Sequence, residues 1–151
     1  MTREERCKLA IERGYTYNSE IGNIYNRFGK IVNTHNRYGY IKIMLTFKEK
    51  KYQLVAHHFA WFCINNNCEF EQLDHINGIK DDNRIINLRS VTHQQNQWNK
   101  KKAKGYYWNK SENKWHAQIQ VNKKTIYLGL FNIEEEAKQA YLNAKEKYHI
   151  I

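Results

Sequence analysis

Between Leu73 and Asn99 the chain reads LDHINGIKDDNRIINLRSVTHQQNQWN, and no other stretch limits its own fold so tightly. Leu73 opens a short strand that runs into a polar pair, Asp74 and His75. A loop, NGIKDDN, separates it from a second strand at Leu88 to Thr92. A helix starting near His93 carries Asn96, and Thr92 can cap it, since its hydroxyl can accept an orphan backbone N–H. In the order strand, loop, strand, helix, the strands pair as a hairpin and the helix folds back across them. Asn96 can then meet Asp74 in space. Cleaving a phosphodiester requires a base for the attacking water and oxygen ligands that hold a divalent cation on the phosphate. With Asp74, His75, Asn87 and Asn96, this segment can supply both.

The flanks are organised differently. Residues 1–13 can form a short amphipathic helix. From Tyr15 to Val55, segments rich in Tyr, Ile and Val lie between Gly and Asn turns, and the alternation in YIKIMLTF predicts antiparallel strands. A helix follows over Ala56 to Asn65, with Val55, Phe59, Phe62 and Cys63 on one buried face and Trp61 and Phe62 as packing residues. The chain holds no proline, 7 glycines and 18 asparagines, so Asn is expected at many turns that need positive φ.

The last residues form a self-contained pattern. Strands are expected at Gly105–Trp108, Lys114–Val121 and Lys124–Leu130. A two-residue turn at Asn122 and Lys123 pairs Val121 with Lys124, Ile119 with Ile126 and Ala117 with Leu128 on one face. It pairs Gln120 with Thr125, Gln118 with Tyr127 and His116 with Gly129 on the other. One face is apolar and one hydrogen-bonding, as a half-buried sheet requires. Asn132 can cap a final helix, with Glu135 reaching back. Ala137, Ala140, Tyr141, Ala144 and Tyr148 form its apolar stripe.

The charge balance then narrows the partner. Lys and Arg number 25 against 15 Asp and Glu, a net of +10, which suits a polyanion, of which nucleic acid is the commonest. The longest apolar run, Phe59 to Ile64, is far short of the roughly 20 residues a membrane span needs, and no apolar leader is present at the N-terminus. Cys7, Cys63 and Cys68 form no CxxC pair and fit a reducing compartment. A zinc site from Cys63 and Cys68 with His57 or His58 lacks a second pair of soft ligands.

Three stretches, AHHFAWF at Ala56 to Phe62, DHINGIKDDNRIINLRSVT at Asp74 to Thr92 and QNQWNK at Gln95 to Lys100, resemble the HNH (His-metal finger, ββα-metal) endonucleases. The C-terminal stretch, KGYYWNKSENKWHAQIQVNKKTIYLGLFNIEEEAKQAYLNAKEKYH, resembles the apetala/ethylene-response-factor type of DNA-binding domain. The two occur together in mobile and phage-borne endonucleases. The resemblance covers about residues 53 to 149 and departs at His58, where the family usually has arginine, and at Lys123, in place of a turn glycine. It implies an α+β chain: a β-rich lead-in and ββα-metal nuclease core over residues 1–102, then a small three-stranded antiparallel sheet plus helix over residues 103–151.

The resemblance also implies roles. His75 is the general base, Asp74 and Asn96 are ligands for Mg²⁺ (or Mn²⁺), and Asn87 ties down the loop and orients His75. Duplex DNA is the partner, with no protein partner and no membrane implied. The products are a 5′-phosphate and a 3′-hydroxyl, and the setting is the cytoplasm of a bacterium or a phage-infected cell. On the residues themselves, Asp81, Asp82 and Asn83 read as turn formers. Arg84 and Arg89 either grip phosphates or brace the loop. Lys100, Lys101 and Lys102 with Lys104 are either a phosphate-touching linker or a solvated charge run. Lys114, His116, Gln118, Gln120, Thr125 and Tyr127 are the candidate DNA-facing residues of the last sheet. The alternative is a regulator that binds DNA without cutting it, its nuclease site decayed; the intact Asp74, His75, Asn87 and Asn96 argue against it.

Overall fold

The computed structural model describes residues 1–98 and 104–149. It is α+β, built from small antiparallel sheets and helices, and it divides into two compact units, Met1–Thr92 and His93–Ile151. The expected boundary between residues 102 and 103 lies outside the described residues, as do Lys100, Lys101 and Lys102.

The first unit opens with α1 (Arg3–Glu12). Thr2 caps it through a reciprocal pair, Thr2 Oγ1 accepting from Glu5 N–H and Glu5 Oε2 accepting from Thr2 N–H, which satisfies two donors that a helix start leaves open. The short strands β1 (Thr16–Tyr17) and β2 (Ile24–Tyr25) pair with each other. The longer hairpin follows, β3 (Lys42–Phe47) with β4 (Lys50–Val55). Helix α2 (Ala56–Asn65) begins directly after β4 and ends at Asn66, whose backbone is left-handed at φ 56°. Of its predicted apolar face Phe59 and Phe62 are buried, while Val55 and Cys63 are half-buried. Phe59 and Phe62 are buried with Cys7, Leu9, Ile24, Ile43, Leu45 and Leu54, so α1, α2 and the β3–β4 hairpin enclose one core. Burying a side chain of that size contributes on the order of 1.5–3 kcal/mol.

The asparagines mostly act otherwise than by adopting positive φ. Among the described residues only Asn66, Asn113 and Asn122 do so. In the lead-in, Asn26 and Asn36 open two turns of the same build. Each side-chain Oδ1 accepts the N–H groups two and four residues on, while Gly29 and Gly39 take the left-handed position. A carboxamide that mimics a turn hydrogen bond does not need positive φ itself.

Strands β5 (Gln72–His75) and β6 (Leu88–Val91) form the expected hairpin, with Asp74 opposite Arg89 and His75 opposite Leu88. A single 3-10 turn, Ile85–Asn87, leads into β6.

In the second unit, α3 (His93–Trp98) precedes the three-stranded sheet β7 (Tyr106–Asn109), β8 (Lys114–Val121) and β9 (Lys124–Phe131), in the order β7-β8-β9. Asn122 and Lys123 form the predicted two-residue turn, both at positive φ. The register is as expected from Val121↔Lys124 to Gln118↔Tyr127 and then changes. A bulge at Leu128 pairs Ala117 with Gly129, not Leu128, and His116 with Leu130, not Gly129. Gly129 takes φ +133°, a conformation open to glycine that lets the strand absorb one extra residue.

Helix α4 (Glu134–Tyr148) buries Ala137, Tyr141 and Ala144, the last two packed with Ile119. Asn132 does not cap it. The cap position is Ile133, without a side-chain bond, and the start is favoured instead by Glu134, Glu135 and Glu136 against the helix dipole. Among the described residues no helix is long and apolar enough to cross a membrane.

Candidate active site

His75 ends β5 and is buried. Its ring packs against Tyr40, stacked at 6.0 Å, and His57, edge-on at 5.1 Å, and those two rings meet each other at 5.0 Å. Burial pushes His75 below its ordinary value, opposed by the hydrogen bond to Asn83 and by the charges of Asp74, Asp82 and Asp81. Burial thus favours its neutral form, the form that can accept a proton.

The loop after His75 is tied down by Asn87. The Asn87 carboxamide accepts from Asn77 N–H at 3.0 Å and donates to Asn77 Oδ1 at 3.0 Å and to the Asp82 carbonyl at 2.8 Å. Its own carbonyl accepts from Ile76 N–H at 2.9 Å. Asn87 therefore ties the loop together, and the side chain that meets His75 is Asn83, whose Oδ1 lies 3.2 Å from His75 Nε2.

The three loop residues read from sequence as turn formers have further partners. Asn83 is 1% exposed and faces the histidine. Asp81 lies 2.9 Å from His35 Nε2. Asp82 receives Arg84 Nε at 2.7 Å and Nη2 at 2.6 Å, which holds its carboxyl down at about 2, and it also accepts from Asn77. Arg84 thus braces the loop. Arg89 points to the other carboxylate, giving Nε and Nη2 to Asp74 Oδ2 at 3.1 and 2.9 Å.

The lead-in reaches the same loop at several points. Tyr17 donates to the Asn83 carbonyl at 2.7 Å, and Lys80 Nζ donates to the Tyr38 carbonyl at 2.8 Å. Gly22, at φ +77°, lies so close that a Cβ there would sit 2.5 Å from Arg84 N. Residues 15–40 are therefore a buttress for the site and not only a prelude to it. Nothing in the sequence pattern flagged Tyr17 or Asn83, because a buried carboxamide that holds a histidine and one that merely forms a turn are spelled alike.

Among the described residues no three His, Cys, Asp or Glu side chains form a metal-holding group. The expected second ligand, Asn96, lies on α3 in the second unit. Cys7 and Cys68 lie with Sγ atoms 4.0 Å apart as free thiols. His58 is packed against Phe70 and has its ring pushed down to about 4 by burial and by Arg3 and Arg6.

On the β8–β9 sheet, His116 stacks on Tyr107 at 4.9 Å and meets Tyr127 edge-on at 4.9 Å. Lys114, Gln120, Thr125 and Tyr127 are exposed and Gln118 is half-buried, on strands whose other face packs on α4.

Residues 55–98, from the end of β4 through α3, match the family model described as HNH endonuclease. No curated protein matches the chain. A solved structure described as the HNH homing endonuclease I-HmuI, in a study of its DNA binding and cleavage, is similar at 28% identity and a TM-score of 0.46. The similarity covers 56% of this chain and 50% of that one, so the chain spans about half the length of that relative. The segment that carries Asp74, His75 and Asn87 is accordingly similar to HNH endonucleases.

Proposed function

We propose that the protein is a metal-dependent endonuclease that hydrolyses phosphodiester bonds of double-stranded DNA at preferred sites. The observation that carries this reading is His75 itself, a buried imidazole kept neutral at the end of β5, within the segment that matches the HNH family.

In this reading His75 accepts a proton from the attacking water. Asp74 and Asn96 hold Mg²⁺ or Mn²⁺, hard cations that favour oxygen ligands. When bound, the cation supplies positive charge to phosphate oxygens and to the leaving 3′-oxygen. Asn87 fixes the loop that follows His75. Arg89 holds the Asp74 carboxylate in one rotamer, and Arg84 braces Asp82. Cleavage leaves a 5′-phosphate and a 3′-hydroxyl. The second unit contributes affinity and site preference through Lys114, His116, Gln118, Gln120, Thr125 and Tyr127, in the manner of the apetala/ethylene-response-factor domains it resembles. Lys100, Lys101 and Lys102 touch phosphate.

The test is incubation with supercoiled DNA with and without Mg²⁺, followed by sequencing of the ends. His75→Ala should abolish cutting at unchanged DNA affinity. Near-wild-type cutting by that variant, free of host nuclease, would sink the assignment.

A further inference from the structure

Asn83 has the least exposed polar side chain at the site, and its carboxamide has one orientation that satisfies its surroundings. One end lies 3.3 Å from the backbone carbonyl of Asp81. A carbonyl oxygen only accepts, so that end is the NH₂ group. The other end is then Oδ1, which also only accepts, and it lies 3.2 Å from His75 Nε2. Nε2 must therefore carry a hydrogen. A neutral imidazole has a single N–H, so Nδ1 keeps its lone pair.

Both partners are held from outside this contact. The Asn83 backbone donates to the Asp81 carbonyl at 3.1 Å, and the Asn83 carbonyl accepts from the Tyr17 hydroxyl at 2.7 Å. The His75 ring packs in one cluster with Tyr40 and His57. Turning the carboxamide over would set its oxygen against the Asp81 carbonyl, two acceptors facing each other.

We propose that Asn83 is a positioning residue that fixes His75 in its Nε2–H tautomer, so that Nδ1 is the atom that receives the proton. The catalytic consequence rests on the reading of His75 as the base; the tautomer itself does not. The lead-in acts through this contact, since Tyr17 anchors the backbone of Asn83.

The experiment is a long-range proton–nitrogen correlation spectrum of the metal-free, full-length protein carrying ¹⁵N-histidine, at a pH above 8. The His75 signals are assigned by their loss in His75→Gln. The wild-type protein should show hydrogen on Nε2 and none on Nδ1; hydrogen on Nδ1 overturns the proposal. Asn83→Asp keeps an acceptor at the same place and should keep the tautomer. Asn83→Leu, similar in volume but unable to accept, should give a mixture of both tautomers, and kcat should drop about 10–100-fold, the range for losing a histidine's orienting partner, at unchanged DNA affinity. A single Nε2–H form in Asn83→Leu overturns the proposal. If Asn83→Leu does not fold, Asn83→Ser, too short to reach the ring, replaces it with the same expected outcomes. Normal cutting by His75→Ala would remove the catalytic reading while leaving the tautomer result standing. An Nδ1–H histidine would instead remove this proposal and leave His75 as the base.

Discussion

Arg89 donates from both Nε and Nη2 to a single oxygen of Asp74, Oδ2, across the β5–β6 pair. A guanidinium that bridged both oxygens would cover the carboxylate. This end-on mode orients the carboxylate through one oxygen. The Asp74 and Arg89 side chains are 16% and 29% exposed, so the pair is only partly screened. We expect Arg89→Met to raise the Mg²⁺ concentration needed for half-maximal cutting and to lower activity about 10–100-fold, as removal of a ligand's orienting partner does. A Mg²⁺ titration of cleavage at fixed DNA checks this. If the requirement for Mg²⁺ stays put while the KM for DNA rises, Arg89 grips phosphate and does not orient Asp74.

The lead-in should matter to the site out of proportion to its distance in sequence. Gly22→Ala places a methyl 2.5 Å from Arg84 N at a left-handed φ, so either the β1–β2 turn or the 81–84 loop must move. A loss of roughly 1–3 kcal/mol is expected, the cost of local backbone strain. Tyr17→Phe removes only the hydroxyl bond to Asn83 and should cost about 1 kcal/mol. Urea unfolding of the full chain measures both. Wild-type stability for Gly22→Ala would mean that this contact is not close in solution.

How much of the molecule is legible in its sequence follows from what each residue does. The β5–β6 hairpin, α2 and the β8–β9 turn are readable because hydrophobic period and spacing determine them. The register beyond Gln118 is not, since one bulged residue at Leu128 changes every later pairing, and nothing in TIYLGLF marks that residue except the glycine beside it. The start of α4 is misplaced for a related reason. Asn132 is a good capping residue, yet the helix begins late enough that Ile133 takes the cap position. At the site, Asp74, His75 and Asn87 stand out by type and spacing. Asn83 and Tyr17 do not, because their roles come from long-range contacts that local sequence does not encode.

Acid should destabilise the first unit before its carboxylates titrate. Burial holds His57 well below its ordinary value, and burial with Arg3 and Arg6 nearby holds His58 at about 4. In the unfolded chain both would gain a proton near pH ~6.5. Below that pH the unfolded state binds more protons than the native state, so stability falls as pH falls, down to about 4 for His58. The slope is at most about 1.4 kcal/mol per pH unit for each proton. Urea midpoints at pH 7.5, 6 and 5 should decline in that order, and His58→Phe should flatten the decline. A wild-type midpoint independent of pH over this range would contradict the burial of these rings.

Lys123 occupies a left-handed position, φ 64°, in the β8–β9 turn. Glycine adopts this conformation without the Cβ clash. Lys123→Gly should therefore stabilise the second unit by roughly 0.5–1 kcal/mol, less whatever the extra freedom of the unfolded chain takes back. Thermal unfolding at constant salt checks it, and a lower midpoint would show that the lysine side chain contributes more than the strain costs.

The bulge also changes what the exposed sheet face can read. By simple alternation His116 would stand opposite Gly129, leaving an open lane beside the imidazole. The observed row is Tyr107, His116, Leu130, an aromatic and apolar strip next to Gln118 and Tyr127. A strip of that kind suits packing on thymine methyl groups, while Gln118 and Gln120 suit paired hydrogen bonds to adenine edges in the major groove. We expect Gln118→Ala and Gln120→Ala to relax base choice, each at a cost of roughly 1–3 kcal/mol for the bidentate hydrogen bonding it removes. Leu130→Ala should weaken the preference for thymine at one position only. Removing charge at Lys100, Lys101 and Lys102 should instead weaken binding to all sequences alike and reduce its dependence on salt. A site-preference profile of each variant in one buffer separates these outcomes. If all the profiles match wild type, and deleting residues 103–151 also leaves affinity unchanged, the second unit does not read DNA and site choice belongs to the first.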